Sequence, residues 1–231
     1  MAENTQTISV ARGDGIGPEI MDAVLEILEA GEANLDYEEI AAGREVYEQG
    51  VSAGIDPDAW DAIRRNRIIL KAPITTPQGG GYKSLNVTMR KSLSLYANVR
   101  PCVAYDPFVG SQFPGMDVTV VRENEEDSYS GIEYRNSGEM IEALKFISRP
   151  GTERICRFAF EYAKKHGKRS VTCMTKDNIM KMSDGLFHRI FNEIGEEYPE
   201  IVHDHLIIDI GTARVAANPT EFDVIVAPNL Y

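Results

Sequence analysis

Three cysteines, four histidines and one tryptophan in 231 residues leave little room for several chemistries. Cys102, Cys156 and Cys173 are odd in number and far apart, which argues against a disulfide framework and predicts reduced, partly buried thiols. Zinc is disfavoured as well. His203 and His205 alternate along an apparent strand and could share an ion, but a solvated strand face is the expectation there. Basic residues are in the minority, 24 Lys and Arg against 36 Asp and Glu, for a formal net charge of -12. Nucleic acid needs a clustered basic face and is not an expected partner. No apolar run approaches the length of a membrane span, and MAENTQTISVARGDG lacks the apolar centre of a secretion signal. A cytoplasmic protein with no membrane partner is therefore expected.

What is present is ordinary for a globular chain, 43% apolar and 26% charged, and long enough to bury a substantial core. Thr7 to Ala11 reads as a strand, GDGIGPE as a turn, and Ile20, Val24, Ile27 and Leu28 as a helical stripe. The glycines of that turn, Gly13, Gly15 and Gly17, do not have the G-x-G-x-x-G spacing, which excludes a Rossmann dinucleotide site. Strands are predicted over Asp36 to Ile40 and Ile68 to Ala72, with a helix capped by Asp56 and Pro57 between them. This alternation implies an α/β layer. Pro101 to Asp117, rich in proline and glycine, has no clear period and reads as a crossing between two lobes. Beyond it come a strand over Val118 to Arg122, a hairpin around Asn136 to Gly138, a long helix from Pro150 to Gly167, a strand at Val171 to Met174 and a helix at Ser183 to Glu196. The chain closes with a strand over Leu206 to Ile210, a short helix through Ala217 and a strand over Val224 to Ala227.

The stretch KAPITTPQGGGYKSLNVTMRKSLSLYANVR, Lys71 to Arg100, organises the rest. A Gly/Pro loop feeds a helix that starts near Ser84 and carries Asn86 and Arg90 one turn apart on one face. Arg100 follows on an extended segment. A hydroxyl, an amide and two guanidinium groups beside a flexible loop suit a small polycarboxylate. In so acidic a chain, grouped arginines form a focused positive patch.

SLNVTMR, with TTPQGGG before it and LYANVRP after it, resembles the substrate loop of isocitrate dehydrogenases, in the family of metal-dependent decarboxylating dehydrogenases of 2-hydroxy acids. GDGIGPE, RENEEDSYSGIEY, TKDNIMK and FDVIVAPNLY agree with it in the same order. The resemblance implies an α/β, isocitrate/isopropylmalate dehydrogenase-like two-lobed fold. Residues 1–100 would be the first segment of the large lobe, and 101–231 the small lobe with dimerisation elements, ending as the chain returns to the large lobe. The large lobe would be incomplete because the C-terminal half is absent, and this length alone is expected to be inactive.

The same resemblance implies oxidative decarboxylation of isocitrate to 2-oxoglutarate. Ser84 and Asn86 would hydrogen-bond the substrate, while Arg90, Arg100 and Arg122 would clamp its carboxylates. Tyr129 and Lys176 would handle protons; their pKa values start near about 10 and would be lowered by neighbouring cations. Thr75, Thr76 and Asn178 would lie near the nicotinamide of NAD or NADP. Asp209 would be one ligand of Mg2+ or Mn2+. In the family the lysine and this aspartate reach into a partner's site, which implies a homodimer with shared active sites. Two alternatives remain: an isopropylmalate dehydrogenase, disfavoured by polar Ser84 and Asn86, or a non-catalytic regulatory subunit that binds a tricarboxylate.

Overall fold

The β-branched run at the N-terminus forms strand β1 (Gln6–Ala11), and Pro18 in the first turn helps to start helix α1 (Gly17–Ala30). The computed structural model describes residues 5–75 and 84–231, and none of its helices is long and apolar enough to cross a membrane. The chain divides into two compact units, Met1–Ser92 and Leu93–Tyr231.

The first unit continues with β2 (Leu35–Glu39), α2 (Arg44–Glu48), α3 (Pro57–Asn66), β3 (Ile69–Lys71) and α4 (Leu85–Ser92). Asp56 caps α3 through its carboxylate, which accepts the Asp58 N–H at 2.9 Å. The strands form a parallel sheet in the order β2-β1-β3, with Ile8, Val10, Met21 and Ala72 at its apolar centre. The GDG turn is pinned by Asp14. Its carboxylate accepts the Arg44 N–H and the Thr75 N–H, both at 2.9 Å, and its own N–H donates to Pro73 O at 2.8 Å.

The second unit holds β4 (Ala97–Val103), β5 (Asp117–Glu123), β6 (Glu133–Arg135), β7 (Ile141–Ala143), α5 (Arg149–Lys165), β8 (Ser170–Thr175), α6 (Ser183–Gly195), β9 (Val202–Ile207), α7 (Ile208–Ala217) and β10 (Val224–Ala227). A five-stranded sheet runs β4-β5-β10-β8-β9, parallel throughout except for the antiparallel edge strand β4. Helices α5 and α6 cover one face. Phe160, Phe187 and Phe191 pack there with Val121, Val171, Val224 and Val226, all fully buried. Burying each such side chain stabilises by about 1.5–3 kcal/mol. The opposite face carries Val118, Met174, Phe222 and Ile225, with Val215 of α7 against them.

Three readings change. Pro101 lies inside β4, opposite Thr119, rather than in an aperiodic crossing; an edge strand accommodates proline where a central one does not. The strand expected over Leu206 to Ile210 is displaced: β9 covers Val202–Ile207, and Ile208 already begins α7. His203 does not look onto solvent, because its ring packs edge-on to Phe160 and Phe191, 5.9 and 5.8 Å between centroids. The cysteines behave as expected. Cys156 and Cys173 are buried, with burial pushing both thiol pKa values up, and Cys102 is exposed.

Gly13 and Gly15 both have positive φ, +74° and +61°. A Cβ on Gly13 would also strike the Pro73 carbonyl, whereas one on Gly15 would meet nothing within 4 Å. In the full-length protein, Gly15→Ala is expected to cost about 1 kcal/mol and Gly13→Ala at least about twice that, from urea unfolding. Equal losses would show that the Pro73 contact does not constrain the turn.

Candidate active site

The first unit contributes the α4 residues. Ser84 precedes the helix, and its carbonyl accepts the Thr88 N–H at 3.1 Å. Leu85 and Met89 turn into the core, which leaves Asn86 and Arg90, also four residues apart, on an adjoining half-buried stripe. Arg90 lies close enough to Lys71 to help depress its pKa, although burial of the lysine is the larger cause. The two cations form a local positive region. Thr75 is positioned through its N–H on Asp14. Thr76 lies outside the described residues.

In the second unit, the parallel strands bring their carboxyl ends to one edge of the sheet, where α/β ligand sites collect. Arg122 stands near the end of β5, Lys176 immediately after β8, Asp209 in the first turn of α7 after β9, and Asn229 after β10. Arg122 faces Asn98 across the β4–β5 ladder, and Asn98 Oδ1 accepts the Arg100 Nε–H at 3.1 Å. Arg100 and Arg122 therefore share the sheet face opposite α5 and α6. Arg122 is oriented by its Nε–H bond to Asn229 O, 2.6 Å, and by the Tyr129 ring, whose centroid is 5.1 Å from the guanidinium. Tyr129 sits in a 3-10 turn over Asp127–Ser130 and is partly exposed.

Lys176 and Asp209 meet directly through an ion pair. Asp209 remains 66% exposed, a hard oxygen donor that fits one position around Mg2+ or Mn2+. It belongs to no cluster of three potential metal-ligating side chains among the described residues. Asn178 is exposed two residues after Lys176.

These pieces hang on a buried network that sequence reasoning did not find. The Lys145 ammonium lies 2.6 Å from Asp184 and 3.6 Å from Asp127, both carboxylates with no solvent exposure. It also lies 4.4 Å from the centre of the Tyr231 ring, 3.2 Å from the Tyr231 hydroxyl. Asp184 accepts the Lys176 N–H at 2.7 Å and the Tyr231 O–H at 2.8 Å. Burial pushes the Tyr231 pKa up, and its bond to anionic Asp184 adds to this. Asp127, at the start of the Tyr129 turn, accepts the Leu230 N–H at 2.9 Å and the Ser128 N–H at 2.7 Å. The only sequence signal was indirect: Asp127, Asp184 and Tyr231 lie within or beside the quoted motifs, but Lys145 lies in none.

A sequence profile described as isocitrate/isopropylmalate dehydrogenase matches residues 7–231. The chain is 58% identical over 231 residues to an isocitrate dehydrogenase [NADP] of Rickettsia typhi, covering all of this chain and 48% of that protein. A crystal structure of the TT0538 protein from Thermus thermophilus is similar at TM-score 0.92 and 44% identity, over 97% of this chain and 46% of that one. That of an isocitrate dehydrogenase from Methylococcus capsulatus is similar at TM-score 0.90 and 40% identity, over 97% and 67%. The chain thus spans about half the length of the curated relatives it matches.

Removing Lys145 would leave two buried carboxylates without their cation. Lys145→Met in the full-length protein is expected to cost about 3–5 kcal/mol by urea unfolding. Asp184→Asn in the same chain should reduce that penalty, since the charge left unpaired is then smaller. A loss below about 1 kcal/mol from Lys145→Met would count against the network as a stabilising centre.

Proposed function

The chain belongs to the isocitrate/isopropylmalate dehydrogenase family, and on that premise we propose that the whole protein oxidises isocitrate to 2-oxoglutarate and carbon dioxide. A nicotinamide dinucleotide accepts the hydride from C2. The Rickettsia relative is named as an NADP enzyme, which favours NADP as that acceptor. The observation that carries this reading is the direct pairing of Lys176 with Asp209, presented where parallel strands β8 and β9 end.

Isocitrate has three carboxylates and one secondary alcohol, and each residue takes a role that its chemistry allows. Arg100 and Arg122 offer forked donors to carboxylates on the same sheet face. Arg90 does so from α4, where Ser84 and Asn86 offer neutral donors. Lys176 holds or releases a proton at Nζ near the C2 oxygen, and Tyr129 delivers one through its phenol Oη to the carbon left by decarboxylation. A bound Mg2+ or Mn2+, with Asp209 as one ligand, would supply Lewis-acid polarisation of the C2 oxygen. The direct pairing of Lys176 with Asp209 supports their use as a unit. A homodimer in which each copy supplies that unit to its partner is the assembly we propose. Thr75, Thr76 and Asn178 bind the nicotinamide end of the coenzyme in this reading.

Polar Ser84 and Asn86 favour a third carboxylate over an apolar branch on the substrate. In the full-length protein, replacing both by Leu is expected to reduce isocitrate turnover far more than isopropylmalate turnover; equal loss would remove the assignment. Lys176→Met should lower kcat for isocitrate by about 10²–10⁴-fold. An unchanged kcat would take the proton-transfer role away from Lys176.

A further inference from the structure

Two of the four histidines meet in one place that the dehydrogenase reading does not use. Asp177 follows β8, His188 lies on α6 and His205 on the edge strand β9. Their side chains are only 21%, 27% and 13% exposed. One potential ligand atom from each falls within 4.8 Å of the other two. The imidazole rings lie face to face, 3.6 Å between centroids and 16° between planes. Burial, and then the neighbouring His188, depress the pKa of His205.

A carboxylate that serves only to orient a histidine needs one ring, and His188 Nδ1 already takes that place, 2.7 Å from Asp177 Oδ2. His205 Nε2 stands 3.9 Å from the other oxygen of the same carboxylate and 2.8 Å from the Thr175 hydroxyl. Around zinc, bonds of about 2.0–2.1 Å at tetrahedral angles separate ligand atoms by roughly 3.4 Å. Both spacings lie within an ångström of that value. The two ring planes are nearly parallel, so binding a common ion requires the His188 ring to turn about its Cβ–Cγ bond and leave the stack. With the ion on Nδ1, a neutral ring carries its proton on Nε2.

We propose that Asp177, His188 and His205 bind one divalent transition-metal ion of zinc type, with water or the Thr175 hydroxyl completing a four-coordinate site. Two imidazoles and one carboxylate form a borderline donor set that favours zinc, cobalt or nickel over magnesium and manganese. The ion clips the edge strand β9 to α6 and to the loop after β8. That loop begins with Lys176, and β9 leads into Asp209, so the site stiffens the two segments that present this pair. The proposal does not depend on which 2-hydroxy acid the protein uses.

The test is equilibrium dialysis of the full-length protein against Zn2+ with magnesium in large excess, repeated with Co2+ to read the intense visible bands of four-coordinate cobalt. One zinc per chain is expected, together with an upward shift of the thermal unfolding midpoint. Asp177→Asn should weaken binding at least tenfold, and the double variant His188→Gln/His205→Gln should abolish it along with the cobalt bands. Asp209→Asn should retain both. Absence of zinc binding by the unsubstituted protein overturns the proposal. So does a folded His188→Gln variant that binds zinc as tightly as the parent, or zinc lost on Asp209→Asn and kept by the double variant. His188 is the most exposed of the three, so its substitution tests the site even if the double variant does not fold.

Discussion

A single, largely enclosed lysine holds one edge of the second unit together. Lys145 enters from the segment after the β6–β7 hairpin and pairs most closely with Asp184 and, further off, with Asp127, two carboxylates that no solvent reaches. Each carboxylate also anchors backbone: Asp127 takes the N–H groups of Ser128 and Leu230, and Asp184 that of Lys176. Taking these charges out of water is costly, and the cost is offset only when all the partners are in place. The turn carrying Tyr129, the residue Lys176 and the segment at Tyr231 are consequently fixed relative to one another by shared partners rather than by apolar packing. A carboxylate that must satisfy donors from several segments tolerates few other arrangements of them.

That constraint explains why polar residues far apart in sequence arrive on one edge. The parallel strands β5, β10, β8 and β9 deliver their carboxyl ends to the same side, and the network sets how the chain leaves them. Arg122 is held by the Asn229 carbonyl and the Tyr129 ring, and Lys176 by Asp184 at its backbone and Asp209 at its head. The first unit follows the same logic on a smaller scale. There Asp14 holds the GDG turn against Thr75 and Arg44, and within it Gly13 is required both by its positive φ and by the Pro73 carbonyl beside it.

Much of this architecture was legible because the signals were local. The apolar residues Ile20, Val24, Ile27 and Leu28, the Asp56-Pro57 cap and the spacing of Asn86 and Arg90 each report on a few adjacent residues, and helices lie where those signals put them, although α1 buries Met21 and leaves Ile20 and Ile27 exposed. The misreadings came from tertiary context. Pro101 breaks the pattern of a strand, yet the edge of a sheet accepts it. Ile207, Ile208 and Ile210 look like a continuing strand, but the chain turns into α7 after Ile207. This places Asp209 in the first turn of a helix, beside Lys176. Lys145 carried no signal at all, because nothing in its neighbours announces that a lysine after a hairpin will be buried between two carboxylates. His188 was equally silent, since its partners lie on a loop and a strand that only the sheet order brings near.

The uneven burial of the thiols gives the chain a chemical handle. Cys156 and Cys173 sit in the closed core between sheet and helices, where both access and the scarcity of thiolate make them inert to electrophiles. Cys102 is exposed on β4, two residues beyond Arg100, and so projects from the same side of the strand. Among the three cysteines of this sequence, ordinary thiol chemistry would direct a fluorophore to that position. It would stand beside the Arg100 guanidinium on the sheet face opposite α5 and α6, where its emission could report an anion bound there without any chemical turnover.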